Sequence, residues 1–219
     1  MAAIVGLDEE MLAALKDPDR DLHTEMAKDL GKDRGAVKAV NFGRLYLRGA
    51  KSISKKDDIP LREAQELVTA YDKRWKGIKA WHSREAEKTS RGDRVVTTLG
   101  RVRKISLATS YKDENRLNVD LPEWVNHRVQ GTAGDGMKLA LTRIYQARHE
   151  IPGNALLVDA IHDETVVEVD VEQRKAAGKR VEEIMVSAMR SVLSAPDAPV
   201  RVKTEVAYDY SAAKEVEDE

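Results

Sequence analysis

Arg34, Lys38, Phe42 and Tyr46 recur at every fourth residue. On a helix that interval stacks side chains into a single ridge. The ridge would present two cations and then two aromatic rings. Guanidinium and ammonium groups suit phosphate oxygens, and ring faces suit stacking on a sugar or a base. Ala36, Val37, Ala39, Val40, Gly43 and Leu47 fall on the opposite arc, an apolar back able to pack. The pattern points to a ligand bearing both phosphates and a base. The competing structural reading is a basic amphipathic helix whose rings face the core.

A second cluster is His162-Asp163-Glu164. Residues 155–161 and 165–169 flank it and read as two strands joined by a tight turn. Such a turn exposes the Asp163 carboxylate with Glu164 beside it. An acid in a turn is ordinary turn chemistry, but carboxylate oxygens are also what a hard divalent cation takes. Asn126 and Gln130 lie four apart on a predicted helix. Arg101 follows Gly100 in a predicted hairpin, and His23 sits within Asp21-Leu22-His23-Thr24.

The elements that must hold these groups are legible from period and punctuation. Residues 8–16 read as a short amphipathic helix, and Leu22, Met26 and Leu30 mark another, closed by Gly31. Asp33 is a suitable N-cap for a helix over 34–48. Pro60 suits the start of a long helix with Leu61, Ala64, Leu67, Val68, Tyr71 and Trp75 on its apolar stripe. Residues 95–99 and 101–105 predict a hairpin turning at Gly100, and residues 107–120 are ambiguous. A helix is predicted over 122–150, another over 172–194, and a last strand over 200–207.

Length, 219 residues, allows one large domain or two small ones. Aromatics are 5% of the chain, which predicts an aliphatic core. There is no cysteine, which excludes disulfides and thiolate metal sites. No run is long and apolar enough to span a bilayer and no secretory pattern opens the chain, so no membrane role is expected and the compartment expected is cytoplasmic. Net charge is −1, yet residues 72–104 hold eleven Lys or Arg against four Asp or Glu. With Trp75 and Trp81 inside it, that stretch suits a nucleic-acid backbone, or else a solvated helix face.

In these motifs the chain resembles the family A DNA polymerases, the bacterial DNA polymerase I type with its phage relatives. Residues 34–46 match the family's R-x3-K-x3-(F/Y)-G-x2-Y helix. Residues 155–164 match its apolar strand followed by His-Asp-Glu. Residues 126–133 resemble its N-x3-Q-G-T-A segment, residues 21–24 its D-x-H-T, and residues 98–101 its T-L-x-G-R hairpin. The matches run in the family's order from near residue 3 to the end.

The resemblance implies an α+β fold: a mostly helical fingers subdomain plus a partial antiparallel palm sheet. It implies a palm remnant over 1–20, fingers over 21–120 and the later palm over 121–219. The family's first metal-binding aspartate lies on a D-x-S-x2-E-x-R strand just before the segment that residues 3–8 match. The expectation is therefore that a second chain carries that strand and the thumb, and that this chain alone is inactive. Asp8 and Glu9 read as helix-start carboxylates, and Asp159 as a weak candidate for a replacement ligand.

The implied activity is DNA-directed DNA polymerisation, with a DNA primer-template and deoxynucleoside triphosphates (dNTP) as partners and two Mg²⁺ ions as cofactors. By resemblance, Arg34 and Lys38 hold the β and γ phosphates, Lys38 also serving catalysis, and His23 adds a phosphate contact. Phe42 packs on the incoming sugar and Tyr46 stacks at the insertion site. Asn126 and Gln130 reach the minor-groove side of the primer end, Arg101 approaches the DNA backbone, and His162 lies near the primer terminus. Asp163 is the metal ligand, with Glu164 as its catalytic neighbour. The alternative is a non-catalytic remnant that binds nucleotide or DNA. Three residues depart from the family pattern: Leu47 replaces a glycine, Arg128 a proline, and Pro122 an arginine.

Overall fold

Aspartate caps decide where four of the seven described α-helices before Gly131 begin. In the computed structural model, which describes residues 8–105, 107–109 and 117–209, Asp8 opens α1 (Glu9–Lys16) and Asp21 opens α2 (Leu22–Leu30). Asp33 opens α3 (Arg34–Leu45), and Asp120 opens α7 (Leu121–Asn126). Each accepts a hydrogen bond from a backbone N–H of the first turn that no carbonyl inside the helix can reach. Gly31 closes α2 at φ +60, in the left-handed region that glycine enters without strain.

The chain divides into two compact units, Met1–Gly131 and Thr132–Glu219. The first adds α4 (Ala50–Asp57), α5 (Leu61–Arg74) and α6 (Lys76–Ser90). Two small antiparallel hairpins follow, β1 (Val95–Val96) with β2 (Val102–Arg103) and β3 (Leu107–Thr109) with β4 (Leu117–Val119). Its core is not the aliphatic one that composition suggests. Trp75, Trp81 and Tyr71 are the largest fully buried side chains, and Trp124 is buried with them. Few aromatics suffice, because each removes about 150–250 Å² from water.

The long helix expected from Pro60 ends at Arg74, and α6 starts anew at Lys76. Asp8 helps that restart. Its Oδ1 caps α1 through Met11 N, and its Oδ2 accepts from Gly77 N at 2.9 Å and Ile78 N at 3.2 Å. One buried carboxylate thus ties the starts of two helices together. That occupation explains Asp8 better than any metal role.

The helix expected over 122–150 is also divided. After α7 comes a π turn, His127–Gly131, and then α8 (Thr132–Gln146). Glycine is required at 131: a Cβ there would lie 2.8 Å from the His127 ring and 2.9 Å from the Thr97 methyl.

In the second unit α8 packs along α9 (Arg174–Leu193). The antiparallel pair β5 (Leu156–Ile161) and β6 (Glu164–Glu168) lies against a cluster containing Ile144, Ile151, Ala177 and Ile184. The fold class is α+β, as expected. The strand expected over 200–207 does not form: residues 201–207 are irregular and join no sheet among the described residues. Their alternation of Val with charged residues is strand-like, but a strand exists only where a neighbour completes its ladder.

Candidate functional site

The ridge forms as a surface feature. Arg34, Lys38 and Phe42 are exposed, Phe42 at 51%, while Val37, Val40 and Gly43 behind them are buried. The reading with rings facing the core fails at Phe42. The helix ends at Leu45, so Tyr46 is its half-buried C-cap rather than a helical residue. Arg44 anchors α3 by a two-point ion pair with Asp72 of α5, at 2.7 and 2.9 Å. The His82 ring of α6 meets the Leu45 carbonyl at 3.0 Å.

Past Tyr46 the chain turns sharply. Leu47 has φ +62, and Arg48 N closes back on Gly43 O at 2.9 Å. Such a helix ending favours glycine at that residue, so Leu47 holds its conformation at a steric cost of about 1–2 kcal/mol. The Arg48 guanidinium, on Asp57 at 2.9 Å, braces the same turn.

Two neighbours of the ridge come from α2. The His23 ring lies 5.6 Å from the Phe42 ring, centre to centre. Asn41 Nδ2 stands 2.9 Å from His23 Nδ1. With the amide donating, Nδ1 is the acceptor and the ring proton sits on Nε2. Burial, aided by the Arg34 and Lys38 charges and opposed by Asp21, lowers the His23 pKa. A neutral ring with an N–H donor is thereby favoured. Asp21 grips Arg34: Oδ2 accepts from Nη2 at 2.6 Å and from Nε at 3.2 Å, while Thr24 Oγ1 lies 3.0 Å from Nε. The Arg34 hydrogen bond, then the Thr24 N–H, hold the Asp21 carboxyl well below the usual carboxylate range. Lys38 makes no hydrogen bond or ion pair among the described residues.

Asn126, the last residue of α7, and Gln130, on the π turn, are both exposed, and Gln130 Nε2 donates to the Tyr46 hydroxyl at 2.7 Å. That bond joins two motifs that lie far apart in sequence. A buried carboxylate supports the turn from beneath. Glu85, its side chain 1% exposed, accepts from Trp124 Nε1 at 2.6 Å, Lys88 Nζ at 2.8 Å and Trp81 Nε1 at 3.1 Å. Arg128 stands 3.9 Å from it and also donates to Val96 O at 2.6 Å. Burial pushes the Glu85 carboxyl up, but the Lys88 and Trp124 hydrogen bonds and the Arg128 charge outweigh it, and its pKa is lowered. The arginine that departs from the family's proline therefore has a defined structural duty. Arg101 is exposed and bonds Gly131 O through Nη2 at 2.7 Å.

The basic stretch does not offer stacking platforms, since Trp75 and Trp81 are both in the core. Part of its charge is already paired: Arg74 with Glu10, Glu25 and Asp29, Arg91 with Glu87 and Asp93, and Arg103 with Glu123.

In the second unit Ile161 pairs with Glu164, so His162 and Asp163 form a two-residue turn. His162 has φ +56, an uncommon conformation for a residue with a Cβ. His162, Asp163 and Glu164 are all exposed, and none of their side chains makes a hydrogen bond or ion pair among the described residues. Asp159 Oδ1 accepts from Ala160 N at 2.7 Å, beside an irregularity in the strand register. Asp163 and Glu164 supply hard oxygen donors of the kind Mg²⁺ takes. Even so, no group of three or more His, Asp or Glu side chains fit to hold a metal occurs among the described residues.

Sequence reasoning missed Asn41 and Glu85 as contributors. Each is a polar residue on the buried side of a helix, which is the signal that could have found it.

The model of DNA polymerase family A matches residues 1–212. The chain belongs to DNA polymerase family A. It is 30% identical over 222 residues to the thermostable DNA polymerase I of Thermus aquaticus, covering 95% of this chain and 25% of that protein. It is 31% identical to a DNA polymerase I of Helicobacter pylori over 76% of this chain and 19% of that one. The DNA polymerase of Mycobacterium phage D29 is 27% identical over 91% of this chain and 32% of its own length. The chain thus spans about a quarter of the bacterial relatives it matches. Among solved structures, the POL domain of Pol1 from M. smegmatis, in complex with DNA primer-template and dNTP, superposes with a TM-score of 0.74 at 20% identity. That match covers 92% of this chain and 36% of that one, and it establishes the fold. No helix among the described residues is long and apolar enough to cross a membrane.

Proposed function

We propose that the chain is the fingers and later palm of a DNA-directed DNA polymerase, adding deoxynucleotides to a primer 3′ end on a DNA template. Residues 21–120 would act as fingers and residues 121–219 as palm. The observation that carries the reading is the anchored α3 ridge: Arg34, Lys38 and Phe42 exposed on one face, with the His23 ring beside them. Those groups match a triphosphate followed by a sugar and base.

The reaction needs a primer hydroxyl to attack the α-phosphate while diphosphate leaves. Little covalent work falls to the protein, so positioning and charge stabilisation dominate. Arg34, Lys38 and the His23 N–H would hold the β and γ phosphates and steady the leaving diphosphate. Phe42 would pack on the sugar and Tyr46 would meet the base pair, with Gln130 fixing the tyrosine hydroxyl. Asn126 and Arg101 would touch the primer-template. Mg²⁺ ions, when bound, neutralise charge on the attacking and leaving oxygens, and Asp163 is the carboxylate here that would hold one. A further carboxylate must come from a segment outside the described residues, on this polypeptide or on a partner carrying the D-x-S-x2-E-x-R strand and thumb.

Two measurements test the reading. The chain should bind a deoxynucleoside triphosphate, and Arg34→Ala should weaken that binding by about tenfold or more. Primer extension should appear when a polypeptide with the missing strand and thumb is supplied, and Asp163→Ala should abolish it. Extension by this chain alone would refute the need for a partner chain. Binding without extension under any complementation would leave a nucleotide-binding remnant.

A further inference from the structure

The Asp21 carboxylate serves two neighbours with its two oxygens. Oδ1 accepts from His23 N at 2.8 Å and Thr24 N at 3.1 Å, capping α2. Oδ2 takes Arg34 Nη2 at 2.6 Å, and Thr24 Oγ1 sits 3.0 Å from Nε. A guanidinium has five N–H donors arranged along distinct edges. The Nε–Nη2 side edge is therefore occupied. Nη1 makes no hydrogen bond among the described residues, so the Nη1–Nη2 end edge remains available to a ligand.

We infer that Asp21 is a positioning residue: it fixes the Arg34 fork so that the end edge faces a polyphosphate. The inference rests on the reading of the ridge as a triphosphate grip and deepens it. Three features carry it. Two oxygens, Asp21 Oδ2 on Nη2 and Thr24 Oγ1 on Nε, meet one edge of the guanidinium, so the clasp sets its plane as well as its place. Its side chains are half-exposed, Arg34 at 50% and Asp21 at 41%, so the pair adds little to folding. The same carboxylate caps the helix that carries His23, so one residue sets two of the groups aimed at phosphate.

A double-mutant cycle tests it, read by calorimetric titration of the whole chain with a deoxynucleoside tri- and monophosphate. Asparagine at position 21 keeps the cap acceptor but cannot accept the arginine fork. Asp21→Asn should leave the unfolding midpoint nearly unchanged and weaken triphosphate binding about fivefold, while monophosphate binding stays level. In an Arg34→Lys background, which has no fork to orient, Asp21→Asn should cost nothing. Equal weakening in both backgrounds would mean that Asp21 acts only as a cap, and overturns the inference. Tighter binding in both would mean that Asp21 merely repels phosphate, and also overturns it. Failure of the unmutated chain to bind triphosphate would instead defeat the reading of the ridge, and this inference with it.

Discussion

The two units hold their candidate chemistry in opposite ways. In the first, the α3 ridge is set by overlapping supports: the Asp33 cap, the Arg44–Asp72 pair, the His82 contact with Leu45 and the Asp21 clasp on Arg34. In the second, Asp163 sits at the tip of a two-stranded hairpin, and its side chain has no partner among the described residues. Two apolar residues of that hairpin are exposed, Leu156 at 60% and Val158 at 58%. A supported ridge is ready to grip a ligand before it arrives. An unsupported acid on a bare hairpin gains its geometry from whatever joins it. The first cluster thus has its supports within the described residues, and the second does not.

The largest expected effect lies on the unfinished side. Asp163→Ala should lower complemented primer extension by about a thousandfold or more, while leaving triphosphate binding and the unfolding midpoint almost unchanged. A matching loss of stability would show that the hairpin tip is structural and would erase the contrast.

Next comes the support beneath the π turn. Glu85→Ala should destabilise the chain by about 3 kcal/mol in a denaturant titration, because it strands two indole N–H groups and the Arg128 charge. The same carboxylate should give acid sensitivity. Its pKa is lower in the folded chain than unfolded. Its contribution is therefore complete above about pH 4.3 and lost as pH falls through the folded value. Glu85→Gln should flatten the midpoint's dependence on pH in that window.

A smaller loss is expected at Asp8. Asp8→Ala removes acceptors for Met11, Gly77 and Ile78 and should cost about 2 kcal/mol, read as a lower thermal midpoint. The smallest effect has the opposite sign. His162→Gly should raise stability by about 0.5–1 kcal/mol, since glycine tolerates the positive φ that the histidine endures at an exposed site. Primer extension should fall in that same variant, marking the strain as functional. Unchanged stability would mean that the turn is not under strain.

Much of the first unit was legible as pattern. The four-residue interval of Arg34, Lys38, Phe42 and Tyr46, the Asp33 cap and the Gly31 stop are local signals, and the structure follows them to within a few residues. The hairpin turn at His162-Asp163 was equally local. Less legible were features made by distant partners. Trp75 and Trp81 sit in a basic stretch, yet both are core, because burial depends on which helices pack and not on neighbouring charge. The alternating residues near 202 look like a strand and are not one, because the ladder needs a second chain segment. The break at Arg74 was hidden because the apolar stripe runs on into Trp75.

The sequence by itself determined the family, the aspartate-capped helix starts and the residue types on the α3 ridge, since spacing and capping act within a turn or two of chain. Only the tertiary structure decided that Asp8 ties two helix starts together, that Gln130 meets Tyr46, and that Glu85 underlies the π turn. Those pairings join residues that lie far apart along the chain. A hydrogen bond across such a distance follows from how the helices pack, and no local interval of residue types encodes it.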